Sequence, residues 1–338
     1  MNIEQWFKTL QGSKPKALIN LKEATGIGDL LNSTSALRYF RKDHPEHIII
    51  AVVDDFYKYD VLRNNPNIDF LVPAYNCDVH WNEEDFRIFC HWSFLEQHKH
   101  PIERPHVCGS YMWHINGYYN EDMQMEMFQN NQDIKYVDEL MKQLPKDKPL
   151  VAISPAWTMF NRMISQREWS LIANKLSKKY TVLSIGGASD FVLENVIDLR
   201  CKLKLNQIPH LLNYCEKAFA ICSGFLHICG CNPDIEIVFL NSGEFPTDMH
   251  VPVRNIKRGW NCKVIEHDCP YKAQCFEGHI KETEYQKQLK NNIMKYGDKY
   301  STEILKKYTA WKYCFKSEDK YSCSRFVMKN LLASGLLD

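Results

Sequence analysis

The sequence predicts an α/β protein of two domains, each holding a parallel sheet covered by helices on both faces. Apolar runs of about four to eight residues recur with amphipathic stretches between them. They form one set, ALINL (17–21), IIIAVV (48–53) and FLVP (70–73), and then a second, LVAIS (150–154), YTVLSIGG (180–187), AFAIC (218–222) and IEIVFL (235–240). Continuous apolar strands separated by helical patterns belong to sheets buried on both faces, which is the property of parallel sheets. The second observation is size: 338 residues, 45% of them hydrophobic, exceed what one core usually supports, roughly 250–300 residues.

The first set of runs belongs to an N-terminal domain spanning 1–145. Its last part is a looser aromatic and polar region from about 74 to 130, followed by IKYVDELMKQLPKDKPL. The PKDKP of that stretch is a breaker-rich turn and sets the boundary near residue 146. A second domain spans 146–300 and includes a Cys-rich loop at 262–275, and a helical segment at 301–338 ends in FVMKNLLASGLL. No fixed-period repeat or low-complexity tract is visible, which sets solenoids and disordered arms aside.

The 42 basic and 41 acidic residues lie without long blocks and leave a formal charge of +1, no footprint for a phosphate backbone, so nucleic acid is not an expected partner. The N-terminal MNIEQWFKTLQGSKPK lacks the pattern of a secretory signal. No window approaches the ~20 apolar residues of a membrane span, so a cytoplasmic protein is expected. Thirteen cysteines, an odd number without an export signal, fit thiols or a metal site better than a disulfide framework.

Three strand-to-helix junctions carry the chemistry. In TGIGDLLNSTSAL (25–37), Gly26 and Gly28 let the backbone turn sharply and approach a neighbour closely. Asp29 stands at the helix start, either as a cap for an orphan N–H or as a functional acid. The same GxG, with Asp54 and Asp55 after the next strand, admits a dinucleotide reading, but Leu31 occupies the third glycine position. In SPAWTMFNRMISQREW (154–169), Ser165 is the expected N-cap, and Arg162 is either a solvated charge or a planar fork sharing an anion with that helix N-terminus. In ICSGFLHICG (221–230), Ser223 and Gly224 sit at the turn and His227 one helical turn in; the histidine is either structural or part of a turn whose Ser223 and N–H groups donate to a diphosphate, and no GxSxG elbow is present. The cysteines at 262, 269 and 275, with Cys314 and Cys323 further on, either make a thiolate metal site or are packed, reduced thiols, since no CxxC occurs.

Taken together the motifs resemble glycosyltransferase family 9, the heptosyltransferase-like enzymes of the GT-B fold, over nearly the whole chain and least between about 75 and 130. GIGDLLNSTSALRYFRKDHP resembles the family's opening GxGDxLxTxPALRxLRxxxP, with Ser35 in place of its proline, and NPNIDFLV resembles the next element. VAISPAWTMFNRMISQREWSLIANKL is similar to the family's strand and polar loop, with Arg162 at its usual lysine. YTVLSIGGASD puts Asp190 at the family's ribose-contacting acid. ICSGFLHICG is similar to DTGxxHxAxAxG, keeping Ser223, Gly224 and His227 but placing Cys222 at the aspartate that helps position the donor.

The resemblance implies two Rossmann-like domains facing across a cleft, with a C-terminal helix crossing back to the first. The second domain would hold a nucleotide-diphosphate sugar, ADP-heptose being the donor suggested, and the first a glycan acceptor of the lipopolysaccharide core or a protein hydroxyl. Asp29 matches the presumed general base of an inverting transfer. Arg162, the helix after Ser165 and the Ser223–Gly224 turn would hold the leaving diphosphate, so the chemistry needs no metal cofactor. The family's Cys-rich C-terminal loop implies a structural iron or zinc ion on Cys262, Cys269, Cys275 and Cys323. Peripheral membrane contact is compatible with such an acceptor. Two other readings stand beside this one: a GT-B binding protein whose catalysis is impaired, as Cys222 and Arg162 would record, and a nicotinamide-dependent oxidoreductase built on GIG and Asp54.

Overall fold

Two parallel sheets organise the chain. The computed structural model describes residues 14–21, 26–53, 56–73, 86–89, 106–155, 164–241, 262–266 and 322–337. The first sheet holds β1 (Lys16–Asn20), β2 (Ile48–Val53), β3 (Phe70–Pro73) and β4 (Phe86–Phe89) in the order β3-β2-β1-β4. Its described helices are α1 (Ile27–Asp43), α2 (Phe56–Leu62) and α3 (Val107–Asn116). After α4 (Asn131–Lys142) come β5 (Leu150–Ile153), α5 (Gln166–Leu176), β6 (Thr181–Ser184), β7 (Ile197–Asp198), α6 (Ile208–Leu212), β8 (Cys215–Ala220), α7 (Gly224–Gly230), β9 (Glu236–Leu240), β10 (Cys262–Ile265) and α8 (Ser322–Ala333). The second sheet runs β10-β9-β8-β5-β6-β7, and every strand pair in both sheets is parallel.

That second order is the doubly wound one: the chain builds outward from β5 through β6 to β7, then returns to the other side of β5 for β8, β9 and β10. Such folds bind ligands at the carboxyl ends of the strands, where the winding reverses, here between β5 and β8. The expected strands form where the apolar runs stand, and all but the edge strand β3 are mostly buried. In β8, Ala218 and Ala220 face one hydrophobic cluster while Phe219 faces another. The first cluster joins the two halves, with Ile19 and Ala51 of the first sheet in the same core as Ala152, Ala220 and Phe239 of the second. The other covers the far face of the second sheet with Trp169 and Ile172 of α5 and Val327, Met328 and Leu331 of α8.

The domain description needs three corrections. Helix α8 does not cross back to the first domain: its buried residues lie on the second sheet's outer face, where Ser324 accepts from the Ser165 N–H at 2.9 Å and Asn330 donates to the Glu266 carbonyl at 2.7 Å. An apolar stripe of Val327, Met328 and Leu331 finds its partner there. Helix α4 was expected to close the first domain, yet it packs on the second, where the buried Asp133 accepts from Asn206 at 2.7 Å and Gln207 at 3.1 Å. Cys262 opens β10, an edge strand, instead of lying in a loop.

The link between the halves is the segment 122–127, whose DMQMEM alternates between Met123, Met125 and Met127 in the core and partners turned the other way. Its Glu126 N–H donates to Thr34 Oγ1 at 2.9 Å, Arg38 bonds Glu126 at 2.6 Å, and Gln124 Nε2 donates to the Gly230 carbonyl at 2.7 Å. The segment is thus tied to α1 on one side and to the end of α7 on the other.

Replacing Asp133 with alanine strands two buried amide donors and should lower stability by about 2–4 kcal/mol. A shift of the urea midpoint at constant slope would read that loss, whereas an unchanged midpoint would show that the buried carboxylate does not hold α4 to the second domain.

Candidate functional site

The site begins with α1. Gly26 is its N-cap, in extended conformation (φ −128°, ψ 165°), and Asp29 is the third helical residue. The Gly26 N–H donates to Asp29 Oδ2 at 2.8 Å, so the carboxylate reaches back to satisfy one of the amides that a helix start leaves without a partner. The local reading of Asp29 as a cap is therefore met, but from inside the helix and not from the N-cap position. Asp29 itself is half-buried.

Two glycines explain why the loop has its sequence. A Cβ on Gly28 would lie 2.8 Å from His227 Nε2 and 3.1 Å from its Cγ, so the imidazole rests directly on the Gly28 backbone. Reciprocally, a Cβ on Gly224 would lie 3.0 Å from Ile27 Cβ. Each helix start thus offers a bare backbone to a side chain of the other, and the first and third junctions of the sequence meet face to face. Leu31, at the third glycine position of the dinucleotide pattern, is fully buried in the core and fills the space that a glycine would leave open.

Beyond β8 the chain places Cys222, Ser223, Gly224 and His227 at the reversal of the second sheet, all but Gly224 buried. Ser223 is 9% exposed, and its Oγ has no hydrogen-bond partner among the described residues. A buried hydroxyl in that condition costs of the order of 1–3 kcal/mol unless something else satisfies it. Ser154, at the end of β5, closes the other side of the reversal and donates its N–H to the Phe219 carbonyl at 3.3 Å.

Asp190 lies past β6, two strands from β8 and thus ~10 Å to the side. Its Oδ2 accepts from the Gly187 N–H at 2.7 Å, and a Cβ on Gly186 would lie 3.0 Å from its Cγ, so Gly186 leaves the room that this carboxylate takes. Arg200 holds the turn, donating to the Asp190 carbonyl at 2.6 Å while gripping Asp198 through Nε at 2.9 Å and Nη2 at 2.8 Å. The bidentate hydrogen bonds from Arg200 pull the Asp198 carboxyl down to about 2. Sequence reasoning passed over Arg200, although D-x-R directly after a short apolar pair is the signal that would have found it.

The helix after Ser165 differs from the expected anion site. Ser165 is its N-cap, accepting from the Glu168 N–H at 3.3 Å, but the buried Glu168 carboxylate already lies at this end and accepts from Ser324 at 2.7 Å. A second anion there would face a like charge in a dry place. Arg162, Asp54 and Asp55 lie outside the described residues, as do Cys269, Cys275 and the side chain of Cys323. Cys262 is partly buried, and burial pushes its thiol up to about 12. A surface cavity of about 640 Å³ lined by Leu150, Tyr214 and Glu216 sits at the opposite, amino-terminal end of the second sheet's strands and contains none of the residues singled out above.

No protein-family model matches the sequence, and no curated protein does. Solved structures do. A glycosyl transferase family 9 protein from Veillonella parvula matches over 96% of this chain and 97% of its own, with a TM-score of 0.62 at 14% identity. The ADP-heptose LPS heptosyltransferase II of E. coli matches over 75% and 90%, at 0.55 and 14% identity. The E. coli heptosyltransferase WaaC, solved with ADP, matches over 80% and 99%, at 0.50 and 12% identity. The chain shares its α/β fold with these proteins, as the motifs lead one to expect.

An alanine at Gly28 tests the contact between the junctions. Helix propensity alone would favour it by up to ~1 kcal/mol, whereas displacing the His227 ring costs about 1–3 kcal/mol. Gly28→Ala should therefore destabilise the wild-type protein yet become neutral or stabilising in a His227→Ala background. Equal effects in both backgrounds, in denaturant melts, would mean that the two residues do not touch.

Proposed function

We propose that this protein is an inverting glycosyltransferase that moves a sugar from a nucleotide-diphosphate donor, with ADP-heptose the first candidate, to a hydroxyl of a lipopolysaccharide-core glycan or a protein. The observation that carries the reading is the contact of Gly28 with His227 and of Ile27 with Gly224, which sets Asp29 beside the winding reversal of the second sheet. An acid next to a nucleotide-type reversal is the arrangement needed to take the proton of an acceptor hydroxyl while the diphosphate leaves on the opposite side. The shared fold and the ordered motifs support the same reading. A cytoplasmic protein making peripheral contact with a membrane-borne acceptor fits it, and no described helix is long and apolar enough to cross a membrane.

In this reaction Asp29 accepts the proton of the acceptor hydroxyl as that oxygen attacks the anomeric carbon. The bond from that carbon to the diphosphate breaks on the opposite face, and its electron pair leaves with the diphosphate. The hydrogen bond from Gly26 to Oδ2 fixes the carboxylate's direction, so the base is oriented before the acceptor arrives. Ser223 Oγ donates to the diphosphate, which satisfies the hydroxyl that otherwise stays without a partner, and Arg162 supplies the countercharge. Asp190, whose carboxylate is steadied by the Gly187 N–H, is the acid assigned to the ribose in this reading. No metal takes part in these steps. A structural iron or zinc ion on Cys262, Cys269, Cys275 and Cys323 would be separate from them.

Cys222 favours a second reading, a descendant of the fold that binds a partner without catalysis, because a buried thiol stands where the family has its donor-positioning aspartate. One experiment separates the two. With ADP-heptose and a lipopolysaccharide-core acceptor, Asp29→Asn should lower the release of ADP by about 10²–10⁴-fold while ADP affinity in calorimetry stays within about twofold of wild type. Undiminished turnover in the folded variant would remove Asp29 as the base, and wild-type protein with no saturable affinity for any nucleoside diphosphate would favour the binding protein.

A further inference from the structure

The other end of α1 carries a second constellation. His44 is the C-cap of this helix, with its N–H donating to the Phe40 carbonyl at 2.9 Å, and the chain turns through Pro45 and Glu46 to His47, whose N–H donates to the His44 carbonyl at 3.2 Å. One ligand atom each of His44, Glu46 and His47 lies within 4.8 Å of the other two, and Glu46 Oε1 is 2.7 Å from His47 Nδ1. The two imidazoles are edge to face with centroids 5.0 Å apart. His47 is 9% exposed and packs its edge on Phe40, so one ligand is held by the core while the carboxylate stands in solvent.

We propose that His44, Glu46 and His47 bind a divalent transition-metal ion of the zinc class, which fastens the end of α1 to the start of β2. Two imidazoles and one carboxylate form a nitrogen and oxygen donor set suited to such an ion, with water completing a tetrahedron. Ligands about 2.1 Å from a common ion stand roughly 3.4 Å apart, so atoms already within 4.8 Å need only small side-chain rotations. The carbonyls at a helix C-terminus favour a cation beside them. Arg41, in the last turn of the helix, is already engaged, because it donates to the His47 carbonyl at 2.8 Å and is paired with Asp69. The backbone of the turn is therefore braced by the core and by Arg41, while the ligand side chains gather above it. Seventeen residues of helix separate this turn from the Asp29 end, about 25 Å, so the ion has no part in the transfer reaction.

The test uses the full chain, stripped with a chelator and dialysed, then titrated with Zn²⁺ by calorimetry and with Co²⁺ by NMR. Since thiolates elsewhere in the chain would compete for zinc, the comparison is between variants. Wild type should show one equivalent that His44→Gln/His47→Gln lacks and that the exposed Glu46→Gln weakens by at least about tenfold. Paramagnetic Co²⁺ should broaden the His44 and His47 ring signals first. Equal stoichiometry and affinity in wild type and Glu46→Gln, with no preferential broadening of these two rings, would overturn the proposal. Glu46→Gln and the broadening decide it even if the double variant does not fold.

Discussion

Two helix starts, each giving a glycine backbone to a side chain of the other, hold the molecule's two halves in register. Because Gly28 gives its backbone to the His227 ring and Gly224 gives its own to Ile27, α1 and α7 approach more closely than any residue with a Cβ would permit. Everything proposed for function follows from that approach, since it brings the acid after β1 to the turn after β8. The contact also accounts for an odd feature of α1: residues 30–37 are all buried, polar and apolar alike. A helix at the edge of one domain keeps a solvated face; this one has the other half of the protein against it.

Three of the four buried polar side chains in this stretch have hydrogen-bond partners, and Ser35 Oγ has none among the described residues. Ser33 and Thr34 turn their hydroxyls to the carbonyls of Leu30 and Leu31 at 2.7 and 2.6 Å, and Thr34 also accepts from Glu126, while Asn32 accepts from the Cys108 thiol at 3.0 Å. The linking segment 122–127 thereby becomes part of the structure of α1, and its Gln124 closes the far end of α7. The two ends of α7 are each tied to the first half, one by packing and one by a hydrogen bond. Motion between the halves must therefore break specific contacts and is not a free hinge.

The sequence announces the elements that are buried on both faces and hides those whose meaning depends on a neighbour. Every long apolar run became a strand, and Ser165 became the cap its chemistry suggested. The strands that escaped notice lie at sheet edges or are short: β7 has two residues, and β10, CKVI, keeps a lysine exposed, as edge strands do, inside a stretch whose cysteines and proline suggested a loop. The alternating DMQMEM was readable as extended chain, but methionine lacks the branched or aromatic character that marks a strand. For the site, glycines and acids at the junctions were legible because the backbone demands them. That His227 would lie on Gly28, or that Glu168 would fill the start of α5, depends on which elements meet, and no local pattern records it.

The claim that two junctions form one site has a direct measure in amide hydrogen exchange on adding ADP. Exchange should slow both in peptides covering 223–228, at the winding reversal, and in those covering 26–31, at the start of α1, because a ligand on one side of the Gly28–His227 contact stiffens the other. Protection at 223–228 with 26–31 unchanged would contradict the account, for the helix that carries Asp29 would then stand apart from the place where the nucleotide binds.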